Sequence, residues 1–253
     1  MRKRIFLSIV MPAYNEEPHI EGVIKEHVDA VTKLAHALDD WEIVCLDDAS
    51  EDGTASVIER VAQHTNKVRL LRHGVNKGIY QSFTDLYHSA RGTHIYSTGS
   101  DGQWPASNLL KMFAALQTGA DLVVGVRQNR KAIYSPRRLL VSHAFNLLAK
   151  ILFGVTTRDA GSIKFGVRDV FTCDLISRSP FVEAERIIRA QKRGYRVDFA
   201  PITFLPRAHG KARGATLRNI VASLRDCFRL FRNKKVDDAL QSSPQEASVK
   251  ELR

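Results

Sequence analysis

The first 125 residues predict a doubly wound, mainly parallel α/β sheet, on three observations: apolar runs of strand length, helical patterns between them, and turn residues at the junctions. The runs fall at about 5–11, 42–47, 67–72, 93–98 and 120–125, and their continuous apolar character suits strands covered on both faces. Helical periodicity occupies about 18–38, 53–65, 79–90 and 106–118. Pro18 suits a first helical turn, while Asp52-Gly53 and Pro105 mark two further starts. Strands alternating with helices pair in parallel through right-handed crossovers. Ligands of such sheets sit outside the C-terminal strand ends, so the residues following each strand are the candidates for chemistry.

After Gly125 the rhythm changes. A basic, apolar helix is expected at 137–153, then a loop around Asp159-Ala160-Gly161-Ser162, a helix at 181–193, a strand at 195–205 and a last helix at 215–232. That last helix places Leu217, Ile220, Val221, Leu224, Phe228 and Phe231 on one side and Arg218, Arg225, Arg229 and Arg232 on others, a basic amphipathic pattern. The expected organisation is a main domain over 1–213, the basic helix within 214–235 as a membrane-surface anchor, and a disordered acidic tail over 236–253.

Charge narrows the classes further. The net charge of +11 is concentrated: residues 127–158 hold seven Lys/Arg and no acid, and residues 207–235 hold nine against Asp226 alone. Such segments call for phosphate-bearing partners. Nucleic acid is disfavoured, because the basic segments carry few aromatics and the acidic strand ends would repel a polyanion. A dinucleotide-dependent oxidoreductase is disfavoured because no Gly-x-Gly-x-x-Gly follows the first strand. No segment has the length of uncharged apolar residues that a membrane span needs, and the N-terminus reads as folded structure in the cytoplasm rather than a signal peptide. Cys45, Cys173 and Cys227 match no metal or redox spacing and read as free thiols.

The strand ends carry the informative residues. The first ends in Pro12-Ala13-Tyr14-Asn15-Glu16-Glu17, which suits a base and ribose, or equally a helix capped by Asn15 with Glu16 and Glu17 near its dipole. The second ends in Asp47-Asp48-Ala49-Ser50-Glu51-Asp52-Gly53-Thr54, where adjacent carboxylates suit a nucleobase N–H or an Asx-type turn. After the third comes Asn76-Lys77-Gly78, and after the fourth Gly99-Ser100-Asp101-Gly102-Gln103-Trp104-Pro105. Asp101 and Gln103 offer oxygens to a Mg²⁺ or Mn²⁺ that neutralises a nucleotide diphosphate.

In this order the four segments resemble inverting glycosyltransferase family 2, with its GT-A fold, over roughly residues 5–213. Within the family the chain is most similar to dolichol-phosphate mannose synthases and bacterial polyprenyl-phosphate glycosyltransferases. The resemblance implies nucleotide contacts from Pro12, Ala13, Tyr14, Glu16, Asp47, Asp48, Lys77 and Ser100. It implies metal binding by Asp101 and Gln103, and catalytic or acceptor-side roles for Asp101, Glu185 and Asp159. For Glu185 an exposed ion pair on the helix face explains the residue almost as well. The chain departs from the pattern at Gly99, where relatives carry the first Asp of an Asp-x-Asp motif.

The implied activity is transfer from a GDP- or UDP-linked sugar to a polyprenyl phosphate. A phosphate monoester is largely dianionic near pH 7 and needs cations rather than a base. Arg127, Arg130, Arg137, Arg207, Lys211 and Arg213 are the candidate cations. The alternative, transfer to a hydroxyl of a soluble acceptor or a growing polysaccharide, requires a base such as Asp159, Glu185 or His209. The expected location is the inner face of the membrane, attached peripherally through 139–153 and 215–232.

Overall fold

The computed structural model describes residues 5–129, 136–206 and 216–233. In chain order these form β1 (Phe6–Ala13), α1 (Glu17–Lys33), a 3₁₀ turn (Ala35–Ala37), β2 (Asp40–Asp47), α2 (Thr54–His64), β3 (Val68–Arg72) and α3 (Ile79–Ser89). There follow β4 (His94–Ser97), α4 (Ser107–Gln117), β5 (Leu122–Arg127), α5 (Pro136–Phe153), β6 (Lys164–Val167), α6 (Arg168–Thr172), α7 (Val182–Lys192), β7 (Val197–Ile202) and α8 (Leu217–Arg232).

One seven-stranded sheet runs β3-β2-β1-β4-β6-β5-β7. Its pairs are parallel except at β6, which lies antiparallel between β4 and β5. β6 and α6 are additions to the elements expected from the sequence. Gly166 admits β6 there, because a Cβ at that position would stand 2.4 Å from the Asp121 carbonyl oxygen. The order reverses between β1 and β4, and the crevice outside their C-terminal ends is where this topology places ligands.

Alternation along β1 sends Leu7, Ile9 and Met11 to one face, where they pack with α1, α2 and α4, and Val10 to the other with Leu86, Tyr87 and Ile95. A third, smaller core lies apart from these. Ala149 and Phe153 of α5 meet Ile188 of α7 and Cys227 and Leu230 of α8, with Phe181 among them. Fully burying a side chain such as Leu230 is worth about 1.5–3 kcal/mol, which fixes α8 to the body. Asp226, the one acid of its basic segment, accepts the N–H groups of Arg178 and Ser179 at 3.0 and 2.9 Å and ties α8 to the loop before α7.

α8 does not bury its whole apolar side. Ser223, Cys227 and Leu230 face the body, while Leu217, Val221, Phe228 and Phe231 remain exposed. Leu140, Leu147 and Ile151 of α5 are exposed as well. The rings of Phe153 and Phe231 meet edge-on at 6.1 Å and join the two surfaces. Among the described residues no helix is long and apolar enough to cross a membrane. Cys45 and Cys227 are buried free thiols, with burial pushing Cys45 up to about 12 and Cys227 up to about 11.

Candidate active site

The tips of β1 and β2 are laced together. Asn15, in left-handed backbone with φ 55°, donates its N–H to Ser50 Oγ at 3.0 Å, and its side-chain oxygen accepts the Glu51 N–H at 2.8 Å. Glu16 N–H reaches Thr54 Oγ1 at 2.8 Å, and Glu17 Oε2 accepts from Gly53 N at 2.8 Å. Asn15 therefore ties one loop to the next; α1 begins after Glu16, with no side-chain cap. These bonds leave the Tyr14 ring 41% exposed at the mouth of the crevice, above buried Pro12 and Ala13. Ser100 Oγ donates to the Pro12 carbonyl at 2.8 Å and ties the tip of β4 to that of β1.

Asp47 and Asp48 take separate partners. Asp47, buried, lies 3.4 Å from the Ser50 N–H in an Asx-type turn. Asp48 reaches into the loop after β3: it accepts from Lys77 N at 2.9 Å and Gly78 N at 2.8 Å, and lies 2.6 Å from His73 Nδ1. Burial acts to raise the Asp48 pKa, but the His73 ring and the two N–H groups outweigh it and hold the carboxyl below its usual range. Gly78 adopts φ +83°, a turn that favours glycine. Lys77 is exposed, with Nζ 3.3 Å from Asp85 Oδ2.

The β4 tip presents Asp101 and Gln103. Gln103 N donates to Asp101 Oδ1 at 3.1 Å, and the Gln103 amide nitrogen donates to the Leu205 carbonyl at 3.0 Å, so its oxygen is the atom left to coordinate. A Cβ on Gly99 would stand 3.1 Å from Trp104 Cδ1 and 3.3 Å from its Nε1. A side chain at 99 would therefore crowd the indole, which would have to shift by a few tenths of an ångström. One carboxylate and one amide oxygen form a hard-oxygen donor set that fits Mg²⁺ or Mn²⁺ taking its other ligands from a diphosphate and water. No group of three or more His, Cys, Asp or Glu side chains placed to hold a metal occurs among the described residues.

From Gly99 and Asp101 a cavity of about 490 Å³ runs inward between α3, α5, α7 and α8. Its apolar wall includes Ile79, Phe83, Phe145, Phe181 and Ile220. At its edge Arg127 and Asp159 form a buried pair: Asp159 Oδ2 accepts Arg127 N and Nε, each at 2.9 Å, and Nη2 meets Oδ1. The guanidinium lies 5.3 Å from the Trp104 ring centre and 5.2 Å from that of Phe204.

Glu183, rather than Glu185, is the α7 carboxylate that lines the cavity. It meets Lys164 Nζ at 2.5 Å, and the same ammonium donates to the carbonyls of Ala160 and Ser162 at 2.6 and 3.0 Å. Burial acts to raise the Glu183 pKa, but Lys164 and Arg186 outweigh it and hold it below the usual range. Glu185 is wholly buried and accepts from Ile176 N, Ser177 N and Arg189 Nε at 3.0, 2.8 and 2.7 Å, so its ion pair is real but internal. Residues two apart on a helix point to different sides, and sequence spacing does not say which side meets the cavity. The candidates Arg130, Arg207, Lys211 and Arg213, the alternative base His209, and the Arg137 side chain lie outside the described residues.

The sequence profile of Glycosyl transferase family 2 matches residues 8–175. The chain is 26% identical over 229 residues to an undecaprenyl-phosphate 4-deoxy-4-formamido-L-arabinose transferase of Pseudomonas fluorescens, covering 88% of this chain and 64% of that protein. It is 25% identical over 212 residues to the glycosyltransferase AglD of Haloferax volcanii, covering 81% of this chain and 34% of AglD. The chain thus spans less than two thirds of either relative. Among solved structures, mannosyl-3-phosphoglycerate synthase from Rubrobacter xylanophilus superposes with TM-score 0.67 at 18% identity, over 91% of this chain and 75% of that one. Glucosyl-3-phosphoglycerate synthase from Mycobacterium tuberculosis, solved with Mn²⁺, UDP and phosphoglyceric acid, gives 0.63 at 21% identity, over 88% and 78%. The architecture they share with it is the GT-A fold. With the profile spanning well over half its length, the chain belongs to glycosyl transferase family 2.

Proposed function

We propose that this chain transfers a sugar, with inversion, from a UDP- or GDP-linked donor to the phosphate of a polyprenyl phosphate. The observation that carries this reading is the apolar cavity that begins at Asp101 and ends against α5 and α8, whose outer faces expose further apolar side chains. An isoprenoid has no polar handles and needs such a wall. The nucleoside lies across Pro12, Ala13, Tyr14, Glu16 and Asp47, with Lys77 and Ser100 beside it. Asp48 serves this site through the loop it holds.

The acceptor follows from the state of the carboxylates. A hydroxyl acceptor needs a base, yet the cavity's Asp159 and Glu183 are each held by a buried cation. A lipid phosphate arrives already ionised, with a second pKa of roughly 6. Arg127, which shares its guanidinium with Asp159, contributes positive charge at the cavity edge, with Arg130, Arg137, Arg207, Lys211 and Arg213 as further cations. Asp101 and Gln103 hold Mg²⁺ or Mn²⁺, as UDP-bound structural neighbours with Mn²⁺ or Mg²⁺ support. When bound, the ion neutralises the departing diphosphate.

In this reading residues 1–213 form the catalytic body and 214–235 a surface anchor, attached peripherally at the cytoplasmic face. The exposed apolar residues of α5 and α8 enter the interface, and Arg218, Arg225, Arg229 and Arg232 meet anionic headgroups at about 1 kcal/mol each. The test incubates the protein with Mn²⁺, a panel of UDP- and GDP-sugars and undecaprenyl phosphate, and reads products by mass spectrometry. A glycosylated lipid phosphate supports the proposal; transfer only to soluble hydroxyl acceptors refutes it.

A further inference from the structure

The indole of Trp104 is held by its ring and bare at its N–H edge. The Arg127 guanidinium lies 5.3 Å from its ring centre, and the Phe204 ring packs against it at 4.5 Å with a 54° tilt. The turn that carries it is fixed too. Gln103 donates its N–H to Asp101 Oδ1 at 3.1 Å and its side-chain amide to the Leu205 carbonyl at 3.0 Å. The Cδ1–Nε1 edge turns toward Gly99: a Cβ there would meet Cδ1 at 3.1 Å, Nε1 at 3.3 Å and Asp101 Oδ1 at 3.4 Å. Gly99, Asp101 and Trp104 line one cavity wall.

An indole has one polar group, its Nε1–H, and that group only donates. A tryptophan N–H withdrawn from water usually has a partner. Trp104 is half-buried, yet among the described residues no acceptor takes its Nε1–H. With glycine at 99, no side chain from that position covers the edge. The acceptors that the proposed reaction brings to this junction are phosphate oxygens, from the diphosphate of the donor or from the lipid phosphate. A hydrogen bond from an N–H to an ionised oxygen is stronger than one between neutral groups. Asp101 stands close by and repels an anion, so the phosphate is accommodated there together with the divalent ion proposed to sit on Asp101 and Gln103. An acid at 99 would add a second repelling charge; glycine leaves the neutral donor in its place.

We propose that Trp104 is a ligand-binding residue of this site: its Nε1–H donates to an ionised phosphate oxygen where donor and acceptor meet, in the space beside Gly99. This rests on the transfer reaction proposed above. It also gives the departure at Gly99 a use, since a side chain there would crowd the donating edge.

The experiment uses the indole signals of the ¹H–¹⁵N spectrum. Trp41 and Trp104 are the two tryptophans of the chain, and Trp41 lies near the start of β2, at the end of the sheet away from the strand tips, so it serves as the reference. The signals are assigned with Trp41→Phe or Trp104→Phe. Mg²⁺ alone, then uridine, UDP, GDP and geranyl phosphate, each with Mg²⁺, are titrated beside calorimetry on the same samples. The expected result is a downfield move of the Trp104 indole proton with a phosphate-bearing ligand, absent with Mg²⁺ alone and with uridine, while Trp41 stays still. A move with UDP or GDP assigns the bond to the donor diphosphate; a move with geranyl phosphate assigns it to the acceptor. Trp104→Phe keeps an aromatic face for Arg127 and Phe204 but loses the N–H, and should bind that ligand about tenfold more weakly. Saturated binding of all three phosphate ligands with an unmoved Trp104 signal, or wild-type affinity in Trp104→Phe, overturns the inference and leaves the transfer reaction standing. If neither nucleotide nor geranyl phosphate binds the wild-type protein, the reaction and this role fall together.

Discussion

The two ends of the crevice are built from opposite materials. At the nucleoside end, the loops after β1, β2 and β3 are held by directional polar bonds, with Asn15, Glu17, Asp48 and His73 each reaching into a neighbouring loop. At the other end, α5, α7 and α8 meet through Ala149, Phe153, Phe181, Ile188, Cys227 and Leu230, and much of the outer surface stays apolar. Directional bonds preorganise a site for a polar ligand of fixed shape. Apolar walls bury a ligand without fixing its orientation. The junction between them, at Asp101, Arg127 and Asp159, is where a donor and an apolar acceptor would meet.

Breaking the junction should have the largest effects. Asp159→Ala leaves the Arg127 guanidinium buried without its carboxylate and should cost about 3–5 kcal/mol in denaturant unfolding. Asp101→Ala should leave unfolding unchanged but lower transfer on the order of 10²–10³-fold if, as proposed, Asp101 is the charged group that holds the ion against the diphosphate. Product formation at saturating donor measures this.

At the apolar end, Phe228→Ser with Phe231→Ser should weaken binding to anionic vesicles about tenfold or more while leaving nucleotide binding alone, because the rings are half exposed and support little of the fold. Deleting α8 would be a blunter test, since Asn219, Ile220 and Ser223 line the cavity itself. The smallest effect concerns acid. Asp48, Asp85 and Glu183 have folded pKa values held below the unfolded ones, so their contribution is complete above the ordinary carboxylate range and is lost as pH falls through the folded values. Glu183→Gln should flatten that acid limb, followed by circular dichroism.

Much of this was legible in the sequence, and the reasons are local. Strand and helix lengths set the parallel sheet, and short loops put Tyr14, Asp47, Asp48 and Asp101 at adjacent strand tips. The inner edge was less legible. β6 is four residues long, contains Gly166 and begins with the buried Lys164, so it carries no strand signal of its own. The Arg127–Asp159 and Lys164–Glu183 pairs join residues 32 and 19 apart and are made by tertiary packing alone. The sequence did mark Gly99 as a departure. The structure supplies its counterpart in Trp104, whose indole would be crowded by a side chain at 99.

In the proposed reaction the acceptor enters the cavity from the α5–α8 side while the donor is held at the strand tips. Ala184 lines that cavity, so Ala184→Trp should fill part of it. Calorimetry with a UDP- or GDP-linked donor and Mn²⁺, beside a transfer assay to undecaprenyl phosphate, measures both halves in one variant. Donor affinity as in wild type with transfer reduced at least about tenfold is the predicted result; undiminished transfer to the lipid would contradict it.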